Sequence, residues 1–197
     1  MRMFSSASAP RRDETAGSLR DALRPPGPWL FGKIPAHGDF ISRGLEPALH
    51  EALDLWLSTE LARARAKFGD FDERYVRAAA WHFVDCDPAG QWSGGALCPS
   101  VDAVGRRFPI LVAAPAEGAE QATAIAHAAL DLIFAALGEG WEATRLHQAL
   151  AAIAAPPGSA PVPVQSVWAI EADDGTRIEM TGRFPDGLIE RMLEIAE

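Results

Sequence analysis

Two segments of this chain carry most of the polar side chains whose types and spacing could support chemistry. The first loop, Gly32–Gly44, and the second loop, Pro99–Pro109, both mix charged residues with glycine and proline. Binding and catalytic residues are concentrated on loops, because the rest of a fold positions them while leaving them accessible. The candidates on these two loops are Lys33, His37, Asp39, Arg43, Ser100, Asp102, Arg106 and Arg107.

One possible function of the first loop is phosphate binding, because residues Gly27 to Lys33 match the sequence pattern G-x-x-x-x-G-K. That motif needs a serine or threonine after the lysine to bind Mg²⁺, and this chain has Ile34 there. Pro35 follows, and the apolar interior of the segment predicts a strand with few free amides to surround a phosphate. Nucleotide hydrolysis is therefore not expected.

Nucleophilic catalysis would need a serine, a histidine and a carboxylate within hydrogen-bonding reach of one another. Ser100 and His37 supply two of these types, and either Asp102 or Asp39 supplies the third. The chain lacks the G-x-S-x-G turn that presents a nucleophilic serine. A chain with five histidines also produces such combinations by chance. The sequence therefore does not favour a hydrolase.

Metal binding is poorly supported as well. His37 and Asp39 offer two ligands at most, and the pattern H-E-x-x-H does not occur. The two cysteines, Cys86 and Cys98, form no C-x-x-C pair, and each lies in a predicted strand. They are interpreted as reduced thiols that serve as small hydrophobic residues. We therefore expect no metal and no cofactor.

The loop charges have further interpretations that involve no bond-breaking. In one, ion pairs hold the two loops together, since buried charges are tolerated when paired. The members of that network would be Asp39, Asp102, Arg43 and Arg106. In another, the same charges present a docking surface to a protein partner. In a third, the two loops form a pocket for an anionic small molecule or a phosphoryl group, held by Lys33, Arg43, Arg106 and Arg107. The sequence leaves these alternatives open.

The overall composition excludes several classes of partner. The chain has 197 residues, of which 48% are hydrophobic, and a formal net charge of −9. An acidic chain is repelled by phosphate backbones, so neither nucleic acid nor an anionic membrane surface is an expected partner. The most apolar stretch, Ala122–Leu137, is shorter than the ~20 residues that span a bilayer. Nothing resembles a signal peptide, and we expect a cytoplasmic protein.

Apolar periodicity and turn residues divide the chain into alternating strands and helices. Residues 1–27 are predicted to be a flexible leader, and residues 28–197 a single domain with a loop at Ala154–Pro163. The predicted strands are Trp29–Phe31, Ala79–Cys86, Gln91–Cys98, Phe108–Ala114, Val164–Ala172 and Thr176–Thr181. The predicted helices are Leu45–Ala64, Ala122–Leu137, Trp141–Ile153 and Asp186–Ile195. This order predicts an α/β fold with helices packed on a mixed sheet, and Trp29 is expected to be partly exposed.

Several spaced motifs resemble one known family. The opening motif is Phe31-Gly32-Lys33-Ile34-Pro35 followed by Gly38-Asp39-Phe40. The later motifs, in order, are Trp56-Leu57, Trp81-His82-Phe83, Trp92-Ser93-Gly94, Pro99-Ser100-Val101-Asp102, Val104-Gly105-Arg106, Phe108-Pro109 and Ser166-Val167-Trp168. Together they resemble the TagF family, also called ImpM, which is associated with type VI secretion. His37 stands where an arginine or another polar residue is usual in that family.

The resemblance implies a three-layer α/β/α sandwich with a mixed, largely antiparallel sheet. It also implies a non-enzymatic accessory protein that represses assembly or firing of the type VI secretion system after translation. The usual partner in the family is the forkhead-associated scaffold protein of that system. Some members are fused to a phosphatase domain, and this chain, which ends at Glu197, is expected to lack one.

Overall fold

The computed structural model describes residues 27–87, 89–153, 166–171 and 176–195. The predicted leader, apart from Gly27, and the predicted loop Ala154–Pro163 lie outside these residues. The described residues form seven strands: β1 (Trp29–Gly32), β2 (Ile41–Arg43), β3 (Trp81–Cys86), β4 (Trp92–Cys98), β5 (Ile110–Ala116), β6 (Val167–Glu171) and β7 (Arg177–Thr181). The five helices are α1 (Pro47–Lys67), α2 (Phe71–Arg77), α3 (Ala119–Glu139), α4 (Ala143–Ala151) and α5 (Leu188–Glu194).

The strands form a single sheet in the order β2-β1-β5-β4-β3-β6-β7. The sheet was predicted to be mixed and largely antiparallel, but each pairing between these described strands is antiparallel, so the mixed part of that prediction was wrong there. Both predicted hairpins form, β3 with β4 and β6 with β7. The first loop was predicted to be irregular throughout, but its residues Ile41–Arg43 pair with β1 as an edge strand. Helix α2 was not predicted either.

Helices cover both faces of the sheet, which confirms the predicted α/β/α sandwich. Successive side chains of a strand point to opposite faces, and β1 shows this alternation. Trp29 and Phe31 pack with α1, α2 and α5 in one core, whereas Leu30 packs with α3 and α4 in the other. The prediction that Trp29 is partly exposed was wrong, since its exposure is only 8%. A strand with neighbours on both edges and helices over both faces leaves little surface for any side chain.

Two glycines of β4 lie in close contact with neighbouring backbone, Gly94 with helix α3 and Gly95 with strand β5. A Cβ built at Gly94 would lie 1.9 Å from the carbonyl oxygen of Ala122 on α3. At Gly95 a Cβ would lie 2.3 Å from the carbonyl oxygen of Val112. Real side-chain atoms do not tolerate such distances, so the absence of a side chain permits this packing.

Helix α3 is also the one helix within the described ranges that is long and apolar enough to cross a membrane. Its apolar stretch was predicted to be too short for that, but the helix extends beyond the stretch at both ends and has 21 residues. Ala126, Ala129 and Ile133 are nevertheless fully buried in the core between α3 and the sheet. A core helix of this kind passes the same length and composition test.

A buried carboxylate joins the first helix to the last. Glu60 of α1 is 1% exposed. Its two carboxylate oxygens accept hydrogen bonds from the backbone N–H groups of Gly187 (3.1 Å) and Ile189 (3.3 Å). Arg63 lies 3.3 Å from the same carboxylate. Helix α5 has no cap from its own neighbouring side chains, so Glu60 satisfies the unpaired N–H groups of its first turn.

Replacement of Glu60 by alanine is expected to lower the free energy of unfolding by about 2 kcal/mol, because buried N–H groups would lose their acceptor. Urea denaturation followed by circular dichroism measures this change. Glu51→Ala is the matched control, since Glu51 lies on the exposed side of the same helix and is expected to change stability by less than about 0.5 kcal/mol. Equal effects of the two substitutions would contradict the capping role.

Candidate functional site

The two polar loops meet at one end of the sheet. The first loop follows the end of β1, and the second joins β4 to β5. Because β1 and β5 are antiparallel neighbours with Gly32 opposite Ile110, both loops emerge at the same end. Gly32 has φ of 135°, and a Cβ there would lie 2.0 Å from the carbonyl oxygen of Pro109. The backbone N–H of Ala103 also donates to the carbonyl of His37 at 2.8 Å.

Asp102 lies at the centre of the contact between the loops and is 2% exposed. Its Oδ2 accepts hydrogen bonds from Lys33 Nζ at 2.8 Å and from Arg106 Nε at 2.6 Å. Its Oδ1 accepts from the backbone N–H groups of Val104 (3.1 Å) and Arg106 (2.9 Å). Lys33 is itself only 5% exposed. The carboxylate therefore neutralises a buried ammonium and orders its own loop at the same time.

The hydrogen bonds to Asp102 determine its protonation. Burial raises the pKa of a carboxyl group, but here the hydrogen bonds from Lys33 and from the backbone and side chain of Arg106 outweigh burial. The pKa of Asp102 therefore lies well below its usual range. Because four donors already surround it, this carboxylate is suited to holding structure and not to accepting a proton from a substrate.

Arg106 supplies a second connection between the loops on the outer side. One guanidinium nitrogen donates to the carbonyl of Gly38 at 2.6 Å. The Arg106 side chain is nevertheless 57% exposed. Lys33 and Arg106 together place two positive charges against the single carboxylate of Asp102. These three side chains together carry a net charge of +1, although the whole chain has a net charge of −9.

Two apolar side chains are presented beside this junction. The ring of Phe40 packs against that of Phe108, with their centroids 4.7 Å apart. Lys33 Nζ lies 4.7 Å from the centroid of the Phe40 ring. The Phe40 side chain is nevertheless 44% exposed. Val104 is 72% exposed. We call Phe40, Val104 and Arg106 the loop ledge. Exposed apolar side chains held on a rigid base next to a guanidinium are typical of a protein-docking surface.

The remaining candidates take separate positions. Asp39 accepts a hydrogen bond from the backbone of the adjacent Phe40, and Arg43 donates to the carbonyl of the adjacent Ser42. Neither contact involves Asp102, so the network at the loop junction is smaller than the predicted one. Arg107 pairs instead with Asp72 of α2, at 3.2 Å. These side chains are separated because the second loop contacts a helix on one side and the first loop on the other.

His37 and Ser100 are not arranged as a catalytic pair. The Nε2 atom of His37 lies 2.8 Å from a Glu142 carboxylate oxygen and 3.1 Å from the backbone nitrogen of Ala143. Ser100 interacts with Tyr75 through its backbone, and its buried hydroxyl has no hydrogen-bond partner among the described residues. The chain therefore uses His37 to connect the first loop to the start of α4.

The two cysteine thiols are not activated as nucleophiles. Burial raises the pKa of Cys98 to about 12, which keeps its thiol protonated. Burial, with the nearby charges of Asp87 and Asp85, also raises the pKa of Cys86. Within the described ranges, no group of three or more histidine, cysteine, aspartate or glutamate side chains is placed to hold a metal ion.

Phe40 and Val104 are the two ledge residues that charge-based reasoning missed. Both lie inside the motifs that carry the family resemblance, so a signal was present in the sequence. Their exposure was not predictable, because an apolar residue in a loop is as compatible with burial as with solvent.

The chain is similar to known proteins in both sequence and fold. Residues 29–153 match the family described as TagF N-terminal domain, Type VI secretion system-associated. Among solved structures, the crystal structure of PA0076 from Pseudomonas aeruginosa PAO1 aligns with a TM-score of 0.67 and 23% sequence identity. The alignment covers 84% of this chain and 93% of that chain. A likeness at this identity concerns the fold alone. No curated protein matches the chain.

Proposed function

This chain belongs to the TagF family of type VI secretion-associated proteins, and from that membership we propose that it is a regulatory binding protein with no catalytic chemistry of its own. It acts in the cytoplasm and represses assembly or firing of the secretion system after translation, by sequestering a component of the apparatus. Its partner is the forkhead-associated scaffold protein of the system.

The observation that carries this proposal is the loop ledge, which lies on a base of hydrogen-bonded charged groups. The charges beneath the ledge are used internally: the carboxylate of Asp102 accepts hydrogen bonds from both Lys33 and Arg106. Groups in such an arrangement make a rigid base, and rigidity favours binding because little conformational entropy is lost on association. Phe40 and Val104 remain exposed above it. The ledge thus fits a partner segment with an apolar side chain next to a carboxylate, which Arg106 would pair with.

A pocket for an anionic small molecule has less support. Three of the four cations expected to hold the anion are already paired with carboxylates: Lys33 and Arg106 with Asp102, and Arg107 with Asp72. The fourth, Arg43, donates to the carbonyl of Ser42. An incoming phosphate would have to displace these carboxylates. Docking of a protein on Phe40 and Val104, with only the exposed side of Arg106 facing a partner carboxylate, leaves these ion pairs in place.

Val104→Asp is expected to weaken binding to the purified scaffold protein at least about tenfold, because it places a charge at the centre of the apolar contact. Isothermal titration calorimetry measures the affinity. Leu55→Asp is the matched control: it makes the same kind of change at a residue of α1 that is 71% exposed, so the affinity should stay the same.

Two results would count against the proposal. The first is undetectable binding of the wild-type chain to the scaffold protein. The second is a loss of affinity in Leu55→Asp that equals the loss in Val104→Asp, since the contact would then lie elsewhere.

A further inference from the structure

An aromatic cleft lies at the end of the sheet opposite the loop ledge. It is bounded by the start of β1, the end of β3, the start of β4 and the end of β5, under the N-terminal half of α1. Its apolar walls include Trp29, Phe83, Trp92, Trp168, Phe184 and Leu53. Three of the six tryptophans of the chain are among them. Tryptophans gathered around a recess are a frequent feature of binding sites.

The cleft already stabilises one cation. Asp85 is 5% exposed, and it accepts a hydrogen bond from the hydroxyl of Ser166. Its Oδ2 lies 3.3 Å from Arg183 Nε. The guanidinium carbon of Arg183 lies 5.6 Å from the centroid of the Phe184 ring. A carboxylate facing an aromatic ring is the combination that holds guanidinium and ammonium groups in proteins.

A second carboxylate lines the same cleft. Oδ1 of Asp87 accepts hydrogen bonds from the backbone N–H groups of Ala89 (2.9 Å) and Gln91 (2.8 Å), which fixes its position. With Asp85, it places two negative charges against the one positive charge of Arg183. The negative faces of the surrounding aromatic rings add to this field.

We propose that the aromatic cleft binds a slim organic cation, a guanidinium or primary ammonium group carried on an alkyl chain. The charge of the ligand follows from the excess of carboxylate and from the aromatic walls. The small open volume of the cleft, about 50 Å³, favours a slim end group over a fused aromatic ring. The cleft and the loop ledge lie at opposite ends of the sheet, so this inference is independent of the proposed function.

The same chemistry is available from two sources. One is a separate molecule. The other is the chain itself, because Gly27 lines the cleft and the residues before it contain five arginines against three acidic residues. Arg20 and Arg24 are within seven residues of Gly27, so a tether would give them a high effective concentration.

Titration of the full chain with butylguanidinium, followed by tryptophan fluorescence, tests the site. Butylurea has the same shape without the charge and is the matched ligand control. We expect a saturable change with butylguanidinium and at least about tenfold weaker binding of butylurea. Asp87→Asn should weaken the binding of butylguanidinium at least about threefold. Asparagine keeps the oxygen that accepts hydrogen bonds from the backbone of Ala89 and Gln91, but it removes the negative charge. Asp131→Asn, at an exposed position on the other face, should leave the affinity unchanged.

A variant with both Arg20→Gln and Arg24→Gln distinguishes the sources. Tighter binding of butylguanidinium by this variant than by the wild type shows that the chain's own arginines compete for the cleft. Equal affinities point to a separate molecule as the source. The proposal is overturned if neither the wild type nor the double arginine variant binds butylguanidinium more tightly than butylurea. It is also overturned if Asp87→Asn binds both ligands with the same affinities as the wild type.

Discussion

Asp102→Ala is expected to lower the midpoint of thermal unfolding by roughly 10 °C at neutral pH. Asp102 is the acceptor for Lys33 Nζ, which is 5% exposed. Without the carboxylate, this ammonium would be left buried and unpaired, and two backbone N–H groups of the second loop would lose their acceptor. Differential scanning calorimetry measures the midpoint.

Two variants separate this cause from a general effect of substitution in the loops. Asp39→Ala removes a carboxylate that is exposed on the first loop, and it should change the midpoint by no more than about 2 °C. Adding Lys33→Met to Asp102→Ala should recover part of the loss, because no unpaired charge then remains. A double variant no more stable than Asp102→Ala alone would contradict the ion-pair explanation.

The same pair predicts how stability depends on pH. The pKa of Asp102 is lower in the folded chain than the ordinary value of about 3.9. Its contribution is therefore complete above about pH 4 and decreases as the pH falls through and below that value. The difference in midpoint between the wild type and Asp102→Ala should accordingly be constant from pH 8 to pH 5 and smaller at pH 3.

Gly94→Ala is expected to lower the free energy of unfolding by about 3 kcal/mol, the upper part of the range for overpacked sites. The added Cβ would lie 1.9 Å from the carbonyl oxygen of Ala122 and 3.0 Å from the backbone nitrogen of Ala126. Both are backbone atoms of α3, so the whole helix must move away from the sheet. Urea denaturation gives the change in free energy.

Gly138→Ala is the matched control for Gly94→Ala. Gly138 lies near the end of α3, and a Cβ there meets no atom within 4 Å. Alanine is the better helix former, so this substitution should raise stability by about 0.5 kcal/mol or slightly more. If Gly94→Ala were as stable as the wild type, α3 would not be held against β4 in the way described.

Most of the elements could be predicted because their signals are local. The β3–β4 hairpin follows from the turn residues between Cys86 and Gln91, and α1 follows from leucines at helical spacing. The short elements β2 and α2 were missed for opposite reasons. Ile41–Arg43 lies in a loop rich in glycine and becomes a strand only by pairing with β1. Helix α2 has only seven residues, and its charged sequence conceals the buried pair Phe71 and Tyr75.

The composition of the loop junction could be predicted only in part. The sequence indicated that Asp102 would find a basic partner, but several were available. The choice depends on strand pairing, which brings the residue after Gly32 to the start of β5. Arg43 is carried to the other end of β1 by its pairing opposite Leu30. The partner of Asp102 is therefore set by pairing between strands that are distant in sequence, and residue spacing along the chain does not predict it.

The contribution of β6, β7 and α5 to the fold determines where the chain can safely be cut. The family match ends at residue 153, but Trp168, Leu188 and Met192 are buried in the same core as Trp81 and Phe83. A recombinant fragment that stopped at residue 153 would lose the neighbour of β3 and the helix that Glu60 caps. Such a fragment would expose an apolar strand edge and a large apolar surface, and aggregation would follow. Truncated versions for expression should therefore extend at least through Ile195.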